Sequence, residues 1–212
     1  MTTVAIIGTG NVGAALGERL ATSGLSVRFG AREGTDAAPL LERAGANASV
    51  HAPVEAVKGA GLVFLAVPAK AAVEAVRAAD AGASVLVDCT NPVRWDQGPV
   101  WDPPAEGSVA QALAAAFPEA RVVKSFNTFG AEFHANPTID AAHAIDVFMA
   151  GDDPAAKAAV AAIAERAGFT PVDAGPLRNA SVVENLAVLW IHLALAGGQG
   201  RDVAFKLLRR SA

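Results

Sequence analysis

The first thirteen residues restrict the fold more than any other stretch. Val4-Ala5-Ile6-Ile7 is a short apolar run that leads without a linker into Gly8-Thr9-Gly10-Asn11-Val12-Gly13. An apolar strand that turns through glycines spaced G-x-G-x-x-G and opens a helix is the start of a βαβ unit. Each glycine has a reason. Gly8 permits the tight turn, Gly10 clears the way for a ligand to approach the backbone, and Gly13 lets the helix lie close to the sheet. The first amides of such a helix, aided by its dipole, favour an anion, and this spacing suits a pyrophosphate. Gly8, Thr9, Gly10, Asn11, Val12 and Gly13 are therefore the expected phosphate-binding residues.

The same alternation runs along the chain. Apolar runs occur at Thr3–Ile7, Ser26–Gly30, Leu62–Val67, Ser84–Cys89, Arg121–Phe126, Ile145–Ala150 and Thr170–Ala174, with a weaker one near Ser49–Ala52. Most are continuous rather than alternating in polarity, as strands covered on both faces are. Between them lie helical stretches at Val12–Ser23, Ala37–Gly45, Ala69–Ala79, Val109–Ala116 and Pro154–Ala167. The expectation is an α/β, Rossmann-like doubly wound fold with a mostly parallel sheet of about eight strands. Residues 1–212 are read as one domain, with 175–212 a short helical C-terminal extension of it. Two stretches fit neither pattern: Pro92–Gly107, with four prolines and two tryptophans, and Gly130–Ala144.

In the extension, a helix is expected from about Arg178 to Ala196 and a short amphipathic one over Asp202–Arg209. The first is apolar nearly all round, through Val182, Val183, Leu186, Val188, Leu189, Trp190, Ile191, Leu193 and Leu195. A helix like that is covered on most faces by its own domain or by a partner subunit. Hydrophobic residues make up 52% of the chain, high for a lone monomer of this size. A homodimer through the C-terminal helical region is the expectation.

Composition excludes several classes. With a net charge of −4, aromatics at 6% and no tyrosine, the chain has neither the basic footprint nor the stacking platform of a nucleic-acid binder. A single cysteine permits no internal disulfide and suits a reducing cytoplasm. The N-terminus lacks the charged and apolar regions of a signal peptide. The most apolar stretch, Leu186–Ala196, is about half the ~20 residues a membrane span needs. His51, His134, His143 and His192 show no metal-ligand spacing, and no metal site is expected. His192, on an apolar helix, reads as a satisfied core group.

In an open α/β sheet, ligands lie beyond the carboxyl ends of the strands. The second strand ends Gly30-Ala31-Arg32-Glu33. An NAD site usually carries an acid at the strand end for the ribose hydroxyls. Here Ala31 and Arg32 stand there, and a guanidinium suits a 2′-phosphate, so NADP(H) is the expected cofactor. In the alternative, Arg32 is a solvated charge and Glu33 takes the ribose. Val67, Pro68 and Asn91 are placed to line the ribose and nicotinamide half, and Asn127, Thr128 and Phe129 the substrate side. Each could equally be turn chemistry. Cys89 lacks an evident histidine partner and is a weak candidate nucleophile. Glu184 reads as buried and paired. Trp95 and Trp101 read as loop anchors or a subunit contact rather than a lid over a planar substrate.

These residues resemble the NADP oxidoreductases that depend on the 8-hydroxy-5-deazaflavin coenzyme, coenzyme F-420. The resemblance covers essentially the whole chain. It is carried by Ile7–Gly13, by Gly30-Ala31-Arg32 and by Val147–Asp153. Its most distinctive part is Val172-Asp173-Ala174-Gly175-Pro176-Leu177-Arg178-Asn179-Ala180, running into Val183-Glu184-Asn185-Leu186. The reductase domain of the Steap metalloreductases is similar too. The resemblance implies hydride transfer between NADP(H) and a planar acceptor such as the deazaflavin or a flavin, by stacking of the two rings, often in a dimer. That chemistry needs little from protein acids or bases, so no catalytic residue is nominated. Trp95–Ser108 and Ser125–Phe129 do not clearly match the deazaflavin-binding members. Two alternatives stand beside this reading. One is an NADP-dependent reductase of a small carbonyl or imine, like pyrroline-carboxylate reductases or β-hydroxyacid dehydrogenases; the other is a non-catalytic NADP-binding sensor.

Overall fold

The computed structural model describes residues 2–210. The chain begins with β1 (Thr3–Ile7), α1 (Asn11–Thr22), β2 (Ser26–Gly30), α2 (Ala38–Ala44), β3 (Ala48–His51) and α3 (Pro53–Val57). It continues through β4 (Leu62–Leu65), α4 (Ala72–Ala78), β5 (Val85–Asp88), a small hairpin β6 (Val93–Trp95) and β7 (Pro99–Trp101), and α5 (Val109–Ala116). Next come β8 (Arg121–Lys124), α6 (Ala131–Ala135), a second hairpin β9 (Thr138–Asp140) and β10 (His143–Ala144), and β11 (Asp146–Gly151). Last come α7 (Pro154–Arg166), β12 (Thr170–Asp173) and α8 (Ala180–Ile191).

Eight strands form one sheet in the order β12-β11-β8-β5-β4-β1-β2-β3. All neighbours are parallel except β8 and β11, whose antiparallel pairing is short, Ala150 opposite Lys124 and Gly151 opposite Val123. The strand order reverses between β1 and β4, and that switch point is where a crevice opens in such a sheet. The Rossmann-like architecture expected from the alternation is present.

The continuous apolar runs follow from the two-sided sheet. Val4 and Ile6 of β1, Leu62 and Phe64 of β4, and Val85 and Val87 of β5 face the core beneath α1 and α7. Ala5 and Ile7, Val63 and Leu65, and Leu86 face the opposite core beneath α3, α4 and α5. Successive side chains serve opposite layers, so the middle of each of these strands is apolar and polar residues such as Asp88 stand only at the ends. Burying Leu16 and Leu20 of α1 fully contributes roughly 1.5–3 kcal/mol each. Close approach is enforced by glycine at Gly17, where a Cβ would stand 2.2 Å from the Phe29 ring.

Both irregular stretches hold a hairpin, and Gly130–Ala144 also holds the short helix α6; neither has enough residues to show a period. The expected helix over Asp202–Arg209 is absent. The buried carboxylate of Asp146 takes Leu207 N–H at 2.6 Å and also the Lys206 ammonium, while the Trp190 indole donates to Val203 O at 2.5 Å. These tertiary bonds occupy backbone groups a helix would need, and residues 201–210 run without regular structure across the β10–β11 region and α8. The long helix is also interrupted. A 3-10 turn, Leu177–Asn179, precedes α8, and a π turn, His192–Ala196, follows it. The span Leu177–Ala196 is long and apolar enough to cross a membrane by length and composition, with mean hydropathy 1.3. In this fold Val183, Glu184, Ala187 and Trp190 are buried along one side of it.

Candidate functional site

The glycine turn has the local geometry its sequence demands. Gly8 has φ +108°, and a Cβ there would stand 2.4 Å from the Ala66 carbonyl oxygen. At Gly13 a Cβ would stand 2.0 Å from Gly8 O, so α1 packs on the turn only because that atom is missing. Gly10 is different, since a Cβ there would meet nothing within 4 Å. The fold does not require glycine at position 10; a ligand approaching that backbone would. No side chain caps α1, and the first intrahelical bond recorded at its start is Ala14 N–H to Gly10 O at 2.8 Å. The amides of Asn11, Val12 and Gly13 are thus open to an anion.

A cavity of about 550 Å³ lies at the switch point. Gly8, Thr9 and Gly10 form its floor with Ala66, Val67 and Pro68, and Gly30, Ala31, Arg32 and Thr35 close one end. Glu33 is exposed and takes no part in the lining. The only carboxylate in the wall is Glu74, which is tied to Arg77. An end walled by a guanidinium, with no free acid, fits a 2′-phosphate. These residues, with Gly10 open and the helix amides unused, fit NADP.

Of the remaining expected residues, Asn11 lines a second cavity on the other side of the turn, and Val12 is half-buried beneath it. Asn91 and Asn127 meet across the ends of β5 and β8. Asn91 Nδ2 donates to Asn127 O at 2.8 Å, and Asn127 Nδ2 donates to Asn91 Oδ1 at 2.9 Å and to Val183 O at 3.3 Å. Asn127 Oδ1, Thr90 Oγ1 and Ser125 Oγ are buried without a partner in the protein. Thr128 is buried. Phe129 turns into the core, stacked on Phe169 at 5.6 Å, so its segment offers backbone rather than a ring to a ligand.

Behind this pair lies a charged network that sequence reasoning had found only at Glu184. Lys124, wholly buried at the end of β8, donates to Asp88 Oδ2 at 2.9 Å and to the Thr90 carbonyl, and lies 3.3 Å from Glu184 Oε1. Glu184 in turn accepts from the Val109 amide at 3.0 Å and the Trp101 indole at 3.1 Å. Burial raises the Glu184 carboxyl above the usual carboxylate range, against the pull of the Lys124 ammonium. The network binds β5, β8, α5, the β6–β7 hairpin and α8 together behind Asn91 and Asn127. A lysine at the end of an apolar run was the available signal.

Trp101 is thus a hairpin anchor, whereas Trp95 is 59% exposed. Cys89 is buried, and desolvation followed by the Asp88 charge pushes its thiol far up, which removes it as a nucleophile. His192 is exposed, not a core group. The core histidine is His134, with Nδ1 2.9 Å from Gly130 O and Nε2 3.0 Å from Phe126 O. Among the described residues no cluster of three or more His, Cys, Asp or Glu is arranged to hold a metal.

The profile of the family described as NADP oxidoreductase, coenzyme F420-dependent, matches residues 3–92. A solved structure from Arthrobacter sp. FB24, a candidate F420-dependent NADP-reductase, is 31% identical with a TM-score of 0.86, over 99% of this chain and 100% of that one. The chain belongs to this family. The family is one of NADP-dependent oxidoreductases. The hypothetical protein SMa0349 from Sinorhizobium meliloti is 30% identical over 84% of this chain and 86% of its own, with a TM-score of 0.73. Metalloreductase STEAP3 of Rattus norvegicus is 34% identical over 85% of this chain. The chain spans only 35% of that relative's length. A reductive aminase from Aspergillus terreus, solved with NADPH and ethyl levulinate, shares the fold at 20% identity, a TM-score of 0.67, and coverage of 93% of this chain and 63% of its own.

Membership gives the distinctive segments a structural meaning. Asp153 caps α7 by accepting from the Ala156 amide at 2.7 Å, beside Pro154 at the first helical position. Asp152 accepts from the Leu177 amide at 2.8 Å and so fixes the start of the C-terminal segment. Asp173 takes Lys157 Nζ at 2.9 Å and the Gly175 amide at 2.7 Å, which holds its carboxyl below the usual range, with Lys157 the larger cause. Gly175 has φ +93°, a conformation that favours glycine.

Proposed function

We propose that this chain transfers a hydride between NADP(H) and a planar ring acceptor, the deazaflavin coenzyme or a flavin, with the two rings held stacked. The observation that carries the reading is the end-to-end match, in sequence and fold, to the Arthrobacter reductase. Bound NADPH supplies the hydride. The open amides of Asn11, Val12 and Gly13 would take its pyrophosphate, and Arg32 its 2′-phosphate. Val67 and Pro68 line the wall toward β4, and the Asn91–Asn127 pair, with Asn127 Oδ1 buried and unpartnered in the protein, would border the nicotinamide end. Reduction of a carbonyl or imine calls for a proton donor at the developing charge. Among the described residues no carboxyl or imidazole is free at the Asn91–Asn127 pair itself, where Glu184 is bonded to Val109 and Trp101 and His134 to Gly130 and Phe126, and that supports the ring acceptor.

The test is to mix the protein with NADPH and the deazaflavin coenzyme and follow loss of the deazaflavin absorbance, then repeat with a flavin. Turnover with either supports the reading. Turnover with neither, alongside tight NADPH binding, refutes it in favour of a sensor, and turnover with a small imine or carbonyl moves it to that class. We further propose a cytoplasmic homodimer. The support is a lone buried cysteine and an apolar strip on α8 and the turn after it, where Val182 is 66%, Leu189 47% and Leu195 47% exposed. A monomer by light scattering at micromolar concentration refutes the dimer.

A further inference from the structure

A second cavity, of about 420 Å³, lies between α1 and α6 and touches neither the 2′-phosphate end nor the Val67–Pro68 wall. One side is Asn11, Ala14 and Glu18 of α1; the other is Ala131 and Glu132, just past the Asn127–Phe129 segment; Arg43 and Arg201 complete the lining, so two guanidiniums stand against two carboxylates. Both arginines are held in the same way. Arg43 gives its Nε to Glu18 at 3.1 Å, and Arg201 gives its Nε to Glu132. Among the described residues no hydrogen bond is recorded from the terminal nitrogens of either guanidinium. Arg201 is also fixed over the Trp190 ring, 5.9 Å from its centre. It lies against Gly130, where a Cβ would stand 2.3 Å from Glu132 Oε2, 2.8 Å from Trp190 and 3.2 Å from Arg201 Nη2. Glycine at 130 thus keeps room for the Glu132–Arg201 pair directly after the Asn127–Phe129 segment.

We propose that this cavity is the subsite for the anionic side chain of the ring acceptor, with Arg201 as its principal ligand and Arg43 as the second. The inference rests on the hydride-transfer reading for the identity of the ring. A ring placed between the glycine turn and Asn127–Phe129 has this cavity as the neighbouring space for a flexible tail. A guanidinium whose Nε is engaged still presents its terminal fork, which matches two oxygens of a phosphate. The existing ion pairs do not forbid this, because half-exposed pairs are worth only about 0–1 kcal/mol and yield to a better ligand. The chemistry recognised is a phosphate monoester or diester on a polyol chain attached to a planar ring.

The experiment compares ligands that share a ring and differ in the phosphate-bearing side chain. Flavin mononucleotide and riboflavin form one pair, and the deazaflavin coenzyme and its phosphate-free ribityl precursor form the other. Affinities are measured by equilibrium dialysis against the protein with NADP+ present, so that the readout does not require turnover. In at least one pair the phosphorylated member should bind about tenfold more tightly. That ratio should fall toward one in Arg201→Ala, fall partly in Arg43→Ala, and be partly kept in Arg201→Lys. Arg121→Ala, which removes a charge at the far end of β8, should leave it unchanged. The pair that responds identifies the source of the phosphate. Equal affinities within both pairs, no binding of any of the four, or a ratio untouched by Arg201→Ala overturns the subsite. A ratio that responds to Arg201→Ala without hydride transfer keeps the subsite and removes the hydride-transfer reading; turnover with an unresponsive ratio does the reverse.

Discussion

Replacing Lys124 with methionine tests whether the buried network holds the site end of the sheet together. Lys124, Asp88 and Glu184 are wholly buried, with the ammonium 2.9 Å from one carboxylate and 3.3 Å from the other. Methionine fills most of the volume but leaves two carboxylates and the Thr90 carbonyl without their cation. Breaking a buried pair by removing one partner costs about 3–5 kcal/mol, a large share of a total of roughly 5–15 kcal/mol. At ~2–4 °C per kcal/mol for a chain of this size, the melting temperature should fall by about 6–20 °C. The loss should depend on pH in a defined direction. Burial already raises the Glu184 carboxyl, and removing Lys124 takes away the main influence lowering it. The folded variant then holds more protons than its unfolded chain just above the normal carboxylate range, so its stability rises as pH falls. Scanning calorimetry at about pH 8 and about pH 5 should show a smaller deficit at the acid end. Adding Asp88→Asn and Glu184→Gln, which neutralises the whole cluster, should recover most of the loss. A fall of less than about 2 °C, or a deficit equal at both pH values, would refute the argument that desolvated charge sets the cost.

Gly10→Ala should leave the melting temperature within about 1 °C, since its Cβ meets nothing, yet weaken NADPH binding at least tenfold by fluorescence titration. Gly13→Ala should lower stability instead, because the new carbon would meet Gly8 O at 2.0 Å; equal behaviour of the two variants would mean the turn is purely structural. Arg32→Ala should raise the Kd for NADPH about tenfold while that for NADH stays put, and a matching loss for both would make Arg32 a solvated charge. Burial holds the His134 imidazole below its usual value. Its contribution is therefore present at neutral pH and lost as pH falls below about 6.5, so urea denaturation should show a shallower acid-side decline in His134→Gln than in the parent.

What could be read from the residues alone divides along a physical line. The inner strands of the sheet were visible because they sit between two apolar layers, and a run such as Leu62–Leu65 has only one way to be buried on both sides, whereas the partly exposed edge strand β3 gave a weaker signal. The glycine turn was visible because its requirement is steric and local, as the 2.0 Å approach at Gly13 shows. The tail over 202–209 was misread for the opposite reason. Its apolar spacing suited a helix, but its path is decided by Asp146, sixty-one positions from Leu207 in sequence. Long-range polar contacts leave no period. Lys124 went unremarked on the same ground, His134 drew notice only for lacking metal-ligand spacing, and His192 was misplaced because the face a helix buries depends on what packs beside it. The family-distinctive acids follow this rule too, since Asp152, Asp153 and Asp173 each bond a backbone amide or a lysine away from the cleft. The segments that most clearly mark the family are therefore those that brace β11, α7 and the entry to α8. The surroundings proposed for the acceptor, from Asn127 to Arg201, are assembled from separate parts of the chain. Family membership accordingly carries more weight for the nucleotide end than for the acceptor, and the phosphate-matched ligand pairs probe the end it leaves open.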